Sequence, residues 1–152
     1  MITTKETTTK HYKTLMEVLG RKHIGTKVEN PFDFIKIANK GVNAQVISNF
    51  RNYFKISRDQ TAEMLNVSSP TIYRWIRENK ILERNYSIQL FELTSLFLFG
   101  AEVFDSNEDF FKWMALPNTA LGGLEPQDLL EIPGGISKIS DLLGRIEYGV
   151  YS

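Results

Sequence analysis

The chain contains no cysteine in 152 residues. Disulfides, thiolate metal sites and cysteine nucleophiles are therefore excluded. Only two histidines occur, His11 and His23, and neither sits in an Asp/Glu pattern with zinc-ligand spacing. With no convincing nucleophile–base set, the chain is not expected to be an enzyme or to need a cofactor. The longest unbroken apolar patch, Leu96-Phe97-Leu98-Phe99-Gly100-Ala101, falls far short of the roughly 20 residues of a bilayer helix, so no membrane association is expected. No basic start precedes an apolar stretch, so no signal peptide is expected, and the cytoplasm is the expected location. Strand-like alternation, internal repeats and heptad runs are missing too. What remains is helical periodicity, and the expected fold is all-α.

The hydrophobic content of 42% is enough for a core. The net charge is zero, but its distribution is polar. Residues 1–44 hold eight Lys/Arg against four Asp/Glu, and residues 45–85 hold seven against four. Residues 86–152 hold three against ten. A basic front suits a polyanion, and an acidic rear suits a different partner.

The first ten residues are mostly Thr and Lys, with little to bury, and are expected to be mobile. Tyr12, Leu15, Met16 and Leu19 fall at helical spacing, with Gly20 as a stop. Arg21 to Glu29 reads as linker. Asn30-Pro31 opens a helix whose inner face is Phe34, Ile35 and Ala38, ended by Gly41. Val46, Ile47, Phe50 and Phe54 mark the next helix, with Arg51 and Lys55 facing away. The expected division is an extension over 1–30, a helix-turn-helix domain over 31–85 and a second domain over 86–152.

The segment from Ser57 to Arg77 reads as a helix-turn-helix. Ser57 caps the first helix, and Gln60 completes a capping box. Ala62 is small where two helices cross. Asn66 occupies the turn position that needs a left-handed backbone. Ser68 caps the second helix, whose first turn admits Pro70. Ile72, Trp75 and Ile76 turn inward. The candidate DNA contacts are Gln60, Ser68, Ser69, Thr71, Tyr73, Arg74 and Arg77. Arg74 and Arg77 suit guanine edges or phosphate, and Ser68 and Ser69 place helix N–H groups where a phosphate can bind. The modest local charge implies that affinity for operator DNA needs a homodimer or a complex with several DNA-binding heads.

The rear half begins with a long apolar helix from about Ile88 to Val103, carrying Leu90, Phe91, Leu93, Leu96 and Phe97. Asp105-Ser106-Asn107-Glu108-Asp109 imitates the opening of a calcium loop. Phe110 stands where that loop needs Gly, and Leu116 where it needs its closing Glu, so no metal site is assigned. The segment reads instead as an acidic helix start, capped by Ser106 and running through Phe110, Phe111 and Trp113 to Pro117. Gly122-Gly123 and Gly134-Gly135 read as turns, since neither fits a phosphate-binding glycine motif. Pro126 opens a short helix with Leu129 and Leu130. Ile136, Ile139, Leu142 and Leu143 lead into an apolar ending, with the core helices expected to be complete before Gly144. Leu142, Leu143 and Ile146 read as core residues. Tyr148, Val150 and Tyr151 read as partner contacts, because chain ends seldom bury themselves.

Two stretches of this rear half are distinctive: Pro117-Asn118…Ala120-Leu121-Gly122-Gly123, and Gly144-Arg145-Ile146-Glu147-Tyr148-Gly149-Val150-Tyr151-Ser152. Together they resemble the toxin-binding domain of the Xre/MbcA/ParS group of bacterial antitoxins, and the likeness extends from Pro31 to Ser152. The resemblance implies an antitoxin that neutralises a RES-domain toxin, an NAD-consuming enzyme, with the C-terminal tail brought to the toxin's NAD pocket. It also implies an Xre-like front domain that represses its own promoter as a dimer. Carried onto this chain, the toxin contacts are Arg145, Glu147, Tyr148 and Tyr151, supported by a turn of Pro117, Asn118, Leu121, Gly122 and Gly123. The chain departs from the family pattern at Tyr86-Ser87-Ile88-Gln89, Phe104-Asp105-Ser106 and Glu131-Ile132-Pro133-Gly134. The alternative is a free-standing regulator whose rear domain dimerises or senses a ligand.

Overall fold

A computed structural model of the chain describes residues 4–25 and 28–149. Among the described residues the regular elements are all helical: α1 Thr4–Leu19, α2 Arg21–Ile24, α3 Pro31–Lys40, α4 Gln45–Phe54, α5 Arg58–Leu65, α6 Ser69–Arg77, α7 Arg84–Phe104, α8 Asn107–Met114 and α9 Gly135–Glu147. Two single 3-10 turns, Thr119–Leu121 and Pro126–Leu129, lie between α8 and α9. The chain divides into two compact units, Met1–Phe91 and Glu92–Ser152, and the division falls inside α7.

In the first unit, α1 buries Tyr12, Leu15, Met16, Val18 and Leu19. Asn49 of α4 donates to the Leu19 carbonyl at 2.8 Å and ties the end of α1 to the middle of α4. Phe34 packs edge-on against Tyr12, with centroids 5.2 Å apart, and lies 5.1 Å from Phe91. Phe50, Ile47, Ile72, Leu82 and Leu90 are fully buried. Each such side chain contributes about 1.5–3 kcal/mol by leaving water. The segments before α4 and α7 pair side by side, with Leu82 N–H bonded to the Val42 carbonyl and Ala44 N–H to the Lys80 carbonyl, both at 2.8 Å. Gln45 adds a bond to the Ile76 carbonyl at 2.9 Å, which fixes the end of α6.

Three local expectations are corrected here. Helix α1 begins at Thr4, well before Tyr12, where the helical spacing of apolar residues starts. Threonine is a poor helix former, but propagating an existing helix is far cheaper than nucleating one. The expected linker holds the one-turn helix α2 and buries Ile24 and Val28. On α3 the buried residues are Ile37 and Ala38, whereas Ile35 is 46% exposed. The inner face runs Phe34, Ile37, Ala38, an i, i+3, i+4 set. The cap of α3 is as expected: Asn30 accepts from Phe32 N–H, while Asp33 accepts from Glu29 and Asn30 N–H at 2.8 and 3.2 Å.

In the second unit, Phe97, Phe110, Met114, Ile139 and Leu143 are fully buried. Phe97 meets Phe111 edge-on at 5.1 Å, and Trp113 lies 5.5 Å from Phe104. Ser106 caps α8 by accepting from Asp109 N–H at 3.0 Å. Helix α7 is longer and more apolar than its unbroken apolar patch suggests. It has 21 residues, and an 18-residue window within it has a mean hydropathy of 1.3, so it is long and apolar enough to cross a membrane by length and composition alone. Within the protein, 44% of that apolar window is buried. The apolar residues run nearly all round the helix and are interrupted by Glu92 and Thr94, so they form no long unbroken run.

Candidate functional site

The helix pair α5–α6 forms as its local chemistry dictates. Ser57 and Gln60 bond reciprocally, at 3.0 and 3.1 Å, closing the capping box. Asn66 adopts the left-handed conformation, with φ 57 and ψ 45, at the end of α5. Ser68 caps α6 by accepting from Thr71 N–H at 3.2 Å, and the two hydroxyls are 2.7 Å apart. Ile72 and Trp75 are buried, and Ile76 is half-buried.

The side chains expected to meet DNA divide into two groups. Gln60, Ser68 and Thr71 are engaged in capping, and Thr71 is half-buried rather than outward-facing. The Ser69 hydroxyl donates to the carboxylate of Asp59. Tyr73, Arg74 and Arg77 are exposed and, with Ser69, line an open cleft of about 720 Å³. The same cleft holds Arg51, Arg58 and Asp59, which the sequence alone does not single out. The guanidinium of Arg58 lies 5.0 Å from the centroid of the Tyr73 ring, and that of Arg77 lies 5.5 Å from it. Arg77 also has Glu78 at 3.9 Å, a loose exposed pair that adds little stability. Arg51 does not simply face away: it is half-buried, with Nε donating to the Ile56 carbonyl at 3.3 Å.

In the second unit Asn118 organises the turn after Pro117. Its side chain accepts from Ala120 N–H at 2.9 Å. Its carbonyl accepts from Gly123 N–H, and its N–H donates to the Leu124 carbonyl, each at 2.9 Å. Gly122 and Gly123 have φ of +66 and +91, and a Cβ on either would meet nothing within 4 Å. Their requirement is therefore backbone conformation, which other residues reach only with strain. Pro117 is exposed, Asn118 and Leu121 are half-buried, and Leu116 and Leu124 are 59% and 51% exposed.

Helix α9 runs to Glu147, past Gly144, where the core helices were expected to be complete. Leu142 and Leu143 are buried, Ile146 is half-buried, and Arg145 and Glu147 stand exposed on the last turn. Tyr148, at the helix end, is 80% exposed while its N–H bonds the Gly144 carbonyl at 3.1 Å. Val150 and Tyr151 lie outside the described residues.

These features define a two-part helical protein: a helix-turn-helix unit with a cationic cleft, and a unit that presents the end of an anchored helix. Residues 100–149 match the family model of the antitoxin Xre/MbcA/ParS C-terminal toxin-binding domain. The chain is similar to antitoxins of the Xre/MbcA/ParS type. It is 26% identical over 132 residues to the Prs ADP-ribosylating antitoxin of Sphingobium sp. strain YBL2, covering 81% of this chain and 83% of the relative. It is 45% identical to Antitoxin Xre of Yersinia enterocolitica over 40 residues, 26% of this chain and 27% of that one. Its fold is shared with a chain of the MbcT–MbcA toxin–antitoxin complex of M. tuberculosis, at a TM-score of 0.57 and 22% identity, over 72% of this chain and 96% of that one.

Proposed function

We propose that the chain neutralises a cognate RES-domain, NAD-consuming toxin by bringing the end of α9 to the toxin's active site, and that its helix-turn-helix represses its own operon as a homodimer in the cytoplasm. The observation that carries the first part is the contrast along one helix. Leu142 and Leu143 are locked in the core, while Arg145, Glu147 and Tyr148 project into solvent from the next turn. A rigid stem presenting an Arg and an aromatic side chain is well suited to fill a pocket, because interface energy concentrates in such residues. The supporting turn is Pro117, Asn118, Leu121, Gly122 and Gly123, and Tyr151 is carried as a further contact from the family resemblance. The solved complex sharing this fold is a toxin–antitoxin pair. The name of the Sphingobium relative speaks of ADP-ribosylation, a transfer that draws on NAD.

In this reading the chain inhibits an enzyme without being one. The decisive experiment combines purified toxin with purified chain and follows NAD consumption. Stoichiometric inhibition is expected. NAD turnover that follows the chain alone through successive columns overturns the reading.

A further inference from the structure

The N-terminus of α6 is a poor seat for a DNA phosphate. Pro70 has no N–H to offer, and the Thr71 N–H is already bonded to the Ser68 hydroxyl. The Ser69 hydroxyl is turned to the Asp59 carboxylate. A phosphate placed there meets a like charge.

The cations converge beside it. Arg51, Arg58, Arg74 and Arg77 line one open cleft with a single carboxylate, Asp59, among them. Two of the four come from outside the second helix of the motif: Arg51 from α4 and Arg58 from the first turn of α5. Arg58 and Arg77 both lie over the ring of Tyr73. Such stacking holds a guanidinium in place while leaving its N–H fork free for an oxygen ligand.

We propose that this cleft seats the phosphodiester backbone of duplex DNA, with Arg58 as a phosphate contact and Tyr73 as the positioning residue that holds Arg58 and Arg77. The proposal rests on the DNA-binding reading of the same helix pair and moves the phosphate contact from the N–H groups of α6 to the guanidinium groups of the cleft, which Ser69 and Pro70 also line. A phosphate contact acts on every sequence alike and appears in the salt dependence, whereas a base contact appears in discrimination.

The test measures anisotropy of two labelled duplexes, one carrying the operon's promoter and one shuffled, against the full chain over a range of KCl concentrations. Arg58→Ala is expected to weaken both duplexes by about tenfold and to reduce the salt slope by about one. Arg58→Lys, which keeps the charge, retains the slope and controls for folding. Tyr73→Ala weakens both duplexes and Tyr73→Phe restores them, since either aromatic ring supports the stack. Unchanged affinity and slope in Arg58→Ala, with the parent chain binding normally, overturns the cleft assignment alone. A parent chain that binds neither duplex at any salt overturns the DNA-binding reading as well. Binding of inorganic pyrophosphate that depends on Arg58, without duplex binding, overturns duplex DNA as the ligand in favour of a free phosphate compound.

Discussion

The ring of Phe110 occupies the space where a side chain at Gly100 would stand: a Cβ built on Gly100 falls 2.3 Å from the ring. The glycine therefore lets α8 lay a fully buried aromatic directly on the backbone of α7. Gly100→Ala has nowhere to put its methyl group without displacing that ring. Overpacking of this kind costs about 1–3 kcal/mol. Urea unfolding of the variant should show a lower midpoint with an unchanged slope. An unshifted midpoint means that the ring yields freely and the contact is loose.

Asp33 gives a pH-dependent contribution whose sign follows from its bonds. The Glu29 N–H above all holds its carboxyl below the usual carboxylate range; desolvation, the next influence in size, opposes it, and the Asn30 N–H and the Lys36 charge add to the lowering. A carboxyl lowered on folding adds stability above its unfolded pKa of about 3.9, and that stability is lost as pH falls through the folded value. Thermal melts of Asp33→Asn and the parent should therefore differ near neutrality and converge under acid. A difference that widens under acid contradicts the assignment.

Arg74→Ala combined with Arg77→Ala should abolish specific promoter binding and leave toxin neutralisation intact. The two functions are assigned to units of opposite charge balance, with 15 Lys/Arg and eight Asp/Glu in residues 1–91 against three and ten in residues 92–152. Gel shifts on promoter DNA and growth rescue with the same double variant check this. Promoter affinity unchanged in the double variant removes α6 from DNA recognition.

The parts legible in the sequence are those governed by neighbours along the chain. Ser57 with Gln60, Asn66, Ser68, Asn30 with Asp33 and Ser106 with Asp109 are caps or turns whose partners lie within a few residues. The parts that escape a sequence reading depend on distant contacts. Helix α2 is too short to show a period, and Ile24 and Val28 are fixed only by what they bury against. The Arg58–Tyr73 stack joins two helices, so no spacing rule announces it. A basic residue opening the first helix, where the helix dipole favours acids, is the available hint. The helical state of Arg145 to Glu147 is masked by Gly144 and Gly149, which read as breakers although only Gly149 has a positive φ.

The most direct test of neutralisation by the end of α9 is inhibition of purified cognate toxin by the chain truncated after Glu147. The cut removes Tyr148 to Ser152 and leaves α9 whole, so a melt and a promoter-binding assay should match the full chain. Losing an aromatic anchor at an interface costs roughly 2 kcal/mol or more, about 30-fold in affinity. The account predicts that the truncated chain inhibits NAD consumption at least that much more weakly, with Arg145→Ala weakening it further. A folded truncated chain that inhibits as well as the parent contradicts it and places neutralisation at the Pro117–Gly123 turn or elsewhere.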